Sequence, residues 1–84
     1  MQKRILVVDD EQIIRESLSY VLRKEDYLVD EADNGKVAYE RMLESSYDLV
    51  ITDLEMPEMK GTELLEKIRN LSVQTATIVV TAYG

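Results

Sequence analysis

The chain has 84 residues, 45% of them hydrophobic and 32% charged, with a net charge of −7. That length admits one domain at most, and the acidic balance argues against direct contact with nucleic acid or an anionic membrane surface. With no cysteine and no histidine, disulfides, thiolate chemistry, imidazole catalysis and His or Cys metal ligands are all excluded.

Lys3–Val8 reads as a strand, continuously apolar from Ile5 as expected of a strand covered on both faces, and it ends at Asp9-Asp10. Glu11–Lys24 reads as a helix. Ile14, Leu18, Val21 and Leu22 have the spacing of a core stripe, and Arg15, Glu16, Arg23 and Lys24 are assigned to the wet face. Asp9 or Asp10 suits its N-cap and Glu11 its first turn. Leu28–Ala32, with acidic residues interleaved, suits an edge strand. Asp33-Asn34-Gly35 is turn chemistry before a helix over Lys36–Glu44, with Val37, Ala38, Met42 and Leu43 available to the core.

Asp48–Asp53 is the most hydrophobic central strand, closed by Asp53. Leu54–Lys60 has no periodicity and reads as a loop around Pro57, in which Lys60 and the Met56/Met59 pair are ordinary loop residues. Thr62–Leu71 is a third helix, inward through Leu64, Leu65, Ile68 and Leu71. Thr77–Thr81 is a fourth strand, followed by Ala82-Tyr83-Gly84. Tyr20, Tyr27, Tyr39 and Tyr47 are assigned to amphipathic packing. The order βαβαβαβ implies an α/β fold with a doubly wound parallel sheet and right-handed crossovers. No helix follows the last strand to cover its face, so residues 1–84 are expected to form the N-terminal two-thirds of a domain.

Three of the apolar runs end at oxygen-bearing side chains: Asp9-Asp10, Asp53 and Thr81. Ligands of open parallel sheets bind at the carboxyl ends of the strands. If the first and third strands are neighbours, about 4.8 Å apart, three carboxylates come within reach of one ion. Oxygen-only donors suit Mg²⁺ or Mn²⁺, and a carboxylate beside such an ion can accept a phosphoryl group. An Asp closing a strand is more often a helix cap. The adjacent pair together with a third Asp on another core strand is harder to explain by capping. Thr81 alone carries no signal, since a β-branched residue ending a strand is ordinary.

Lys3-Arg4-Ile5-Leu6-Val7-Val8-Asp9-Asp10-Glu11, Asn34-Gly35, Asp48 through Gly61, and Thr81-Ala82 together resemble the receiver domain of two-component response regulators, in the right order and spacing over the whole chain. The resemblance implies a flavodoxin-like sheet of order 2-1-3-4. It implies Asp53 as phosphoacceptor, and Mg²⁺ held by Asp10 and Asp53 directly, by Asp9 through water and by the Glu55 backbone carbonyl. Thr81 would contact the phosphoryl group, and Glu55 and Tyr83 would tune its lifetime. It further implies a switch rather than a conventional enzyme, a sensor histidine kinase as partner docking through the first helix, and an output domain, most often for transcription, beyond Gly84. With no apolar run long enough for a membrane span or a signal peptide, the cytoplasm is the expected compartment. The closing Thr81-Ala82-Tyr83-Gly84 resembles receivers that precede ATPase domains acting on the alternative sigma factor.

The family's fifth-strand lysine, its aromatic switch residue, and its fourth and fifth helices have no counterpart in these 84 residues. Two other readings compete. A haloacid-dehalogenase-type phosphohydrolase also uses an aspartyl phosphate, but its nucleophile ends the first strand with a second Asp two residues on. A structural piece that folds as a homodimer, through an exposed sheet face or edge, is the other.

Overall fold

A computed structural model of the chain describes residues 2–53, 61–71 and 75–80. In chain order these form β1 (Arg4–Val8), α1 (Gln12–Lys24), β2 (Leu28–Ala32), α2 (Gly35–Glu44), β3 (Leu49–Asp53), α3 (Gly61–Leu71) and β4 (Ala76–Val80). All seven expected elements are present, with ends shifted by a residue. Leu54–Lys60, including Met56, Pro57 and Met59, and the closing Thr81–Gly84 lie outside the described residues.

The strands pair in parallel in the order β2-β1-β3-β4. β1 is therefore interior, and Leu6, Val7 and Val8 are each at most 1% exposed. β2 is an edge, and its Asp30 and Glu31 make it a poor template for further pairing. Alternation along the strands divides the core in two. Leu6, Val8, Ala32 and Val50 meet Ala38 of α2 and Leu64 and Ile68 of α3 on one face. Ile5, Val7, Val29 and Ile51 meet Leu18 and Leu22 of α1 on the other. Layers on both faces of a parallel sheet are the doubly wound arrangement the sequence implies.

The helices carry the corrections. Ile14 and Val21, expected in the core, are about half exposed, at 48% and 56%. The inward stripe of α1 is instead Arg15, Leu18, Ser19 and Leu22, at spacings of 3, 1 and 3. Fully buried Ser19, whose Oγ has no hydrogen-bond partner among the described residues, is the small residue at the centre of that stripe. Leu43 of α2 faces solvent, whereas Val37 and Met42 pack on the core as expected. On α3, Leu64 and Ile68 are buried but Leu71 is 39% exposed.

The tyrosines also divide. Tyr47 is buried and Tyr39 is partly so, with Lys67 Nζ 5.0 Å from its ring centre. Tyr20 is exposed beneath Lys24 at 5.2 Å.

The caps follow a different logic from the one expected. Neither Asp9 nor Asp10 caps α1: Glu11 is its N-cap and makes no side-chain cap bond. α2 is capped by Asn34, whose side-chain oxygen accepts from the Val37 N–H at 2.9 Å. α1 ends in a left-handed residue, Asp26 at φ 70°. The Tyr27 N–H reaches the Leu22 carbonyl at 3.2 Å and the Asp26 N–H the Arg23 carbonyl at 3.0 Å. That bond pair is the Schellman stop, here built on an aspartate where glycine is usual. Among the described residues, no helix is long and apolar enough to cross a membrane.

Candidate metal and phosphoryl site

β1 and β3 are neighbours in register, Val8 opposite Thr52, so the residues that follow them emerge side by side at one rim. Asp53 closes β3 there, while Asp9 and Asp10 lie one and two residues past the last ladder pair of β1. One carboxylate oxygen from each of Asp9, Asp10 and Asp53 falls within 4.8 Å of the others. The structure thus brings together three of the sequence-derived site residues. Glu55, Thr81 and Tyr83 lie outside the described residues.

The three acids differ in setting. Asp9 is 8% exposed, Asp10 is exposed, and Asp53 is half-buried. The Asp9 amide donates to the Ala32 carbonyl of β2 at 3.1 Å, and its Oδ1 accepts from the Glu11 N–H at 2.8 Å. Burial pushes the Asp9 carboxyl above its ordinary value, and the neighbouring charges of Asp53, Asp10 and Glu11 push the same way, against the opposing pull of the Glu11 hydrogen bond. Beneath the cluster, Thr52 is fully buried and its hydroxyl donates to the Asp53 carbonyl at 3.0 Å.

The donor set is hard oxygen throughout, with no histidine or cysteine in the chain, and its like charges crowd one another. A divalent cation of the Mg²⁺ class fits such a group: it takes one or two carboxylates directly and keeps waters.

One participant was misread at the sequence level. Arg15, assigned to the wet face, turns inward and donates through Nη1 to the Asp9 carbonyl at 2.9 Å. The signal for it was an acid on the facing edge strand, Glu31, which periodicity of apolar residues does not register.

A family model described as the response regulator receiver domain matches residues 5–84. The chain belongs to the response regulator receiver family. Among its relatives, the transcriptional regulatory protein ResD of Bacillus subtilis is 45% identical over 83 residues, covering 99% of this chain and 34% of ResD. The transcriptional regulatory protein SrrA of Staphylococcus aureus is 42% identical over 84 residues, again covering 34% of that protein. The chain therefore spans about a third of the length of these relatives.

Among solved structures, the response regulator TrrA of Thermotoga maritima, in complex with Mg²⁺-BeF, superposes with a TM-score of 0.93 at 46% identity. It covers 99% of this chain and 72% of TrrA. TrrA in complex with the histidine kinase ThkA aligns with a TM-score of 0.91. The chemotaxis regulator CheY4 of Vibrio cholerae, only 28% identical, still reaches 0.90 over 94% of this chain and 68% of CheY4. The receiver fold is thus the family's, and the phosphohydrolase reading has no support among these relatives.

Proposed function

We propose that this receiver accepts a phosphoryl group on Asp53 from a phosphohistidine of a sensor histidine kinase, in a Mg²⁺-dependent reaction, and thereby switches an output. The observation that carries this reading is the meeting of Asp9, Asp10 and Asp53 within 4.8 Å at the carboxyl ends of two paired strands. Asp10 and Asp53 would hold the ion directly and Asp9 through water, with the Glu55 carbonyl as a further ligand. When bound, the ion supplies the positive charge that lets an anionic nucleophile approach an anionic phosphoryl group.

A carboxylate oxygen of Asp53 attacks phosphorus. The P–N bond to the donor imidazole breaks and its electron pair returns to the ring, leaving an acyl phosphate on Asp53. The β3 ladder and the Thr52 hydroxyl fix the backbone of Asp53, so its carboxylate starts from a set position at the rim. Thr81 would contact the transferred group, and Glu55 and Tyr83 would set its lifetime. Turnover is limited to the chain's own phosphorylation and dephosphorylation.

The start of α1 lies beside the rim and exposes Ile13 at 80% and Ile14 at 48%. Such an apolar pair near the acidic rim is the surface we assign to the kinase; a histidine kinase as partner is in keeping with the ThkA–TrrA complex. Control of transcription is the output in keeping with ResD and SrrA.

The test is intact-protein mass after incubation with acetyl phosphate, with and without Mg²⁺. A single Mg²⁺-dependent phosphoryl adduct is expected in wild type, absent from Asp53→Asn, with the Mg²⁺ dependence lost in Asp10→Ala. An adduct forming on Asp53→Asn at the wild-type rate would refute the acceptor assignment.

A further inference from the structure

The geometry points to Arg15 as a positioning residue for the metal site: a guanidinium clamp on the backbone of Asp9. The inference rests on the metal reading of the acidic cluster above. Asp9 sits where the β-ladder has already stopped, since the last residue of β1 with ladder partners is Val8. Beyond that point one backbone bond, from the Asp9 amide to the Ala32 carbonyl of β2, continues the pairing, yet two of the three clustered carboxylates, Asp9 and Asp10, hang from this segment. In the absence of a cation, their mutual repulsion with Asp53 acts to spread this rim.

Arg15 opposes that spreading. Its side chain is only 17% exposed although it lies on a helix next to solvent. Nη1 donates to the Asp9 carbonyl at 2.9 Å and Nε to Glu31 Oε1 at 3.1 Å. Glu31 is itself held from the other side: its Oε2 accepts from Arg23 Nη1 at 3.5 Å, and Arg23 Nη2 donates to the Val29 carbonyl at 2.9 Å. One planar fork therefore joins α1, the end of β1 and the edge strand β2.

With the amide of Asp9 on Ala32 and its Oδ1 on the Glu11 N–H, the amide, the carbonyl and the carboxylate of this residue are each fixed by a different partner. The charge of Arg15 faces Glu31 rather than the acidic cluster. Its influence on the site thus runs through the Asp9 backbone and not through neutralisation of the carboxylates.

This distinction decides the experiment. Arg15→Lys keeps the charge but loses the fork; Arg15→Gln loses both. In the full chain, Mg²⁺ titration is followed by the amide NMR shifts of Asp9, Asp10 and Asp53, and hydrogen exchange of the Asp9 and Glu11 amides is measured without metal. Both variants are expected to weaken Mg²⁺ binding by about 10-fold, the scale of lost outer-shell support. Both should also speed exchange at Asp9 and Glu11 while leaving the β3 amides unchanged. Glu31→Gln, which spares the bond to Asp9, should lie between them and wild type, and it serves alone if the Arg15 variants do not fold.

Wild-type affinity in Arg15→Lys with loss only in Arg15→Gln would overturn the clamp in favour of a charge effect. Exchange rising uniformly across the sheet with Mg²⁺ affinity unchanged would overturn it in favour of general stability. Absence of any Mg²⁺ shift in wild type would overturn the metal reading instead, and the exchange at Asp9 and Glu11 would still judge the clamp.

Discussion

The two ends of the sheet are built on opposite principles. At the amino ends of the strands, acids and hydroxyls among the described residues are paired. The Tyr47 hydroxyl donates to Asp30 Oδ2 at 2.6 Å, the Thr75 hydroxyl to the Tyr47 carbonyl at 2.9 Å, and Arg4 and Asp48 exchange hydrogen bonds at 2.8 Å each way. At the carboxyl ends, three carboxylates crowd within 4.8 Å and burial raises the proton affinity of Asp9. One end is arranged for stability. The other keeps a conflict that a bound cation would resolve. Strain of this sort persists where the surrounding structure over-determines it, and here the over-determination comes from the ladder below and from the three partners of Asp9.

The largest effect should come from the paired end. Tyr47→Ala empties a site 5% exposed and breaks the bond to Asp30; a loss of about 3–5 kcal/mol in denaturant unfolding is expected for an aromatic truncation. Tyr47→Phe isolates the hydroxyl and should cost about 1 kcal/mol.

The same contact has a pH signature. Burial and the hydrogen bond to Asp30 push the Tyr47 phenol up to about 12. The folded state thus holds this proton where the unfolded chain, titrating near 10, releases it. The stabilisation is complete below about pH 10 and fades as pH climbs towards 12. Unfolding midpoints measured across that range should fall more steeply for wild type than for Tyr47→Phe. Equal slopes would show that Tyr47 is not the group responsible.

At the opposite end, loss of the Asn34 cap in Asn34→Ala should cost about 1 kcal/mol. Asp9→Asn should carry the opposite sign. Because the folded-state value of Asp9 is raised, ionisation destabilises the fold as pH rises through that value, and the cost remains at neutral pH. The amide keeps an oxygen for the Glu11 N–H while removing the charge. The metal-free variant should therefore melt at a higher temperature than metal-free wild type, and added Mg²⁺ should stabilise it less. A lower melting temperature would mean that the acids at this rim are not in conflict. Smallest in stability is Ile13→Ser, within about 0.5 kcal/mol of wild type at an exposed position. It should slow phosphotransfer from the kinase and leave phosphorylation by acetyl phosphate unchanged.

The strands and their terminal acids were legible in the sequence because both signals are local. An apolar run covered on two faces has no polar interruption, and the residue that ends it is at a rim by construction. Pairing of β1 with β3, on which the cluster depends, was not legible in βαβ alternation, which makes strands parallel without ordering them; the order came from the resemblance to receivers. The inward face of α1 was not legible. A count of apolar spacing selects Ile14, Leu18 and Val21, but the helix is rotated to bring Arg15 and Ser19 inward. An arginine is buried when acceptors on another element meet it, and no periodicity in its own helix reports those. The cap of α1 was misassigned for a related reason: the Asp9 carboxylate is spent on the Glu11 amide, before the helix begins.

The register of Val8 against Thr52 has one more consequence. The spacing of the acids is set first by the distance between two hydrogen-bonded backbones, with the Arg15 fork holding the end of β1 beyond the ladder. Helix positions outside the core and this fork are then free to drift, provided the ladder keeps its alignment. A single-residue slip would turn every inward side chain of the strand outward, and so it is lost along with the fold rather than tolerated. The reactive geometry and the folded state thus stand or fall together. CheY4, which shares 28% of its residues with this chain, superposes at a TM-score of 0.90, so the backbone frame that sets this spacing outlasts most of the sequence.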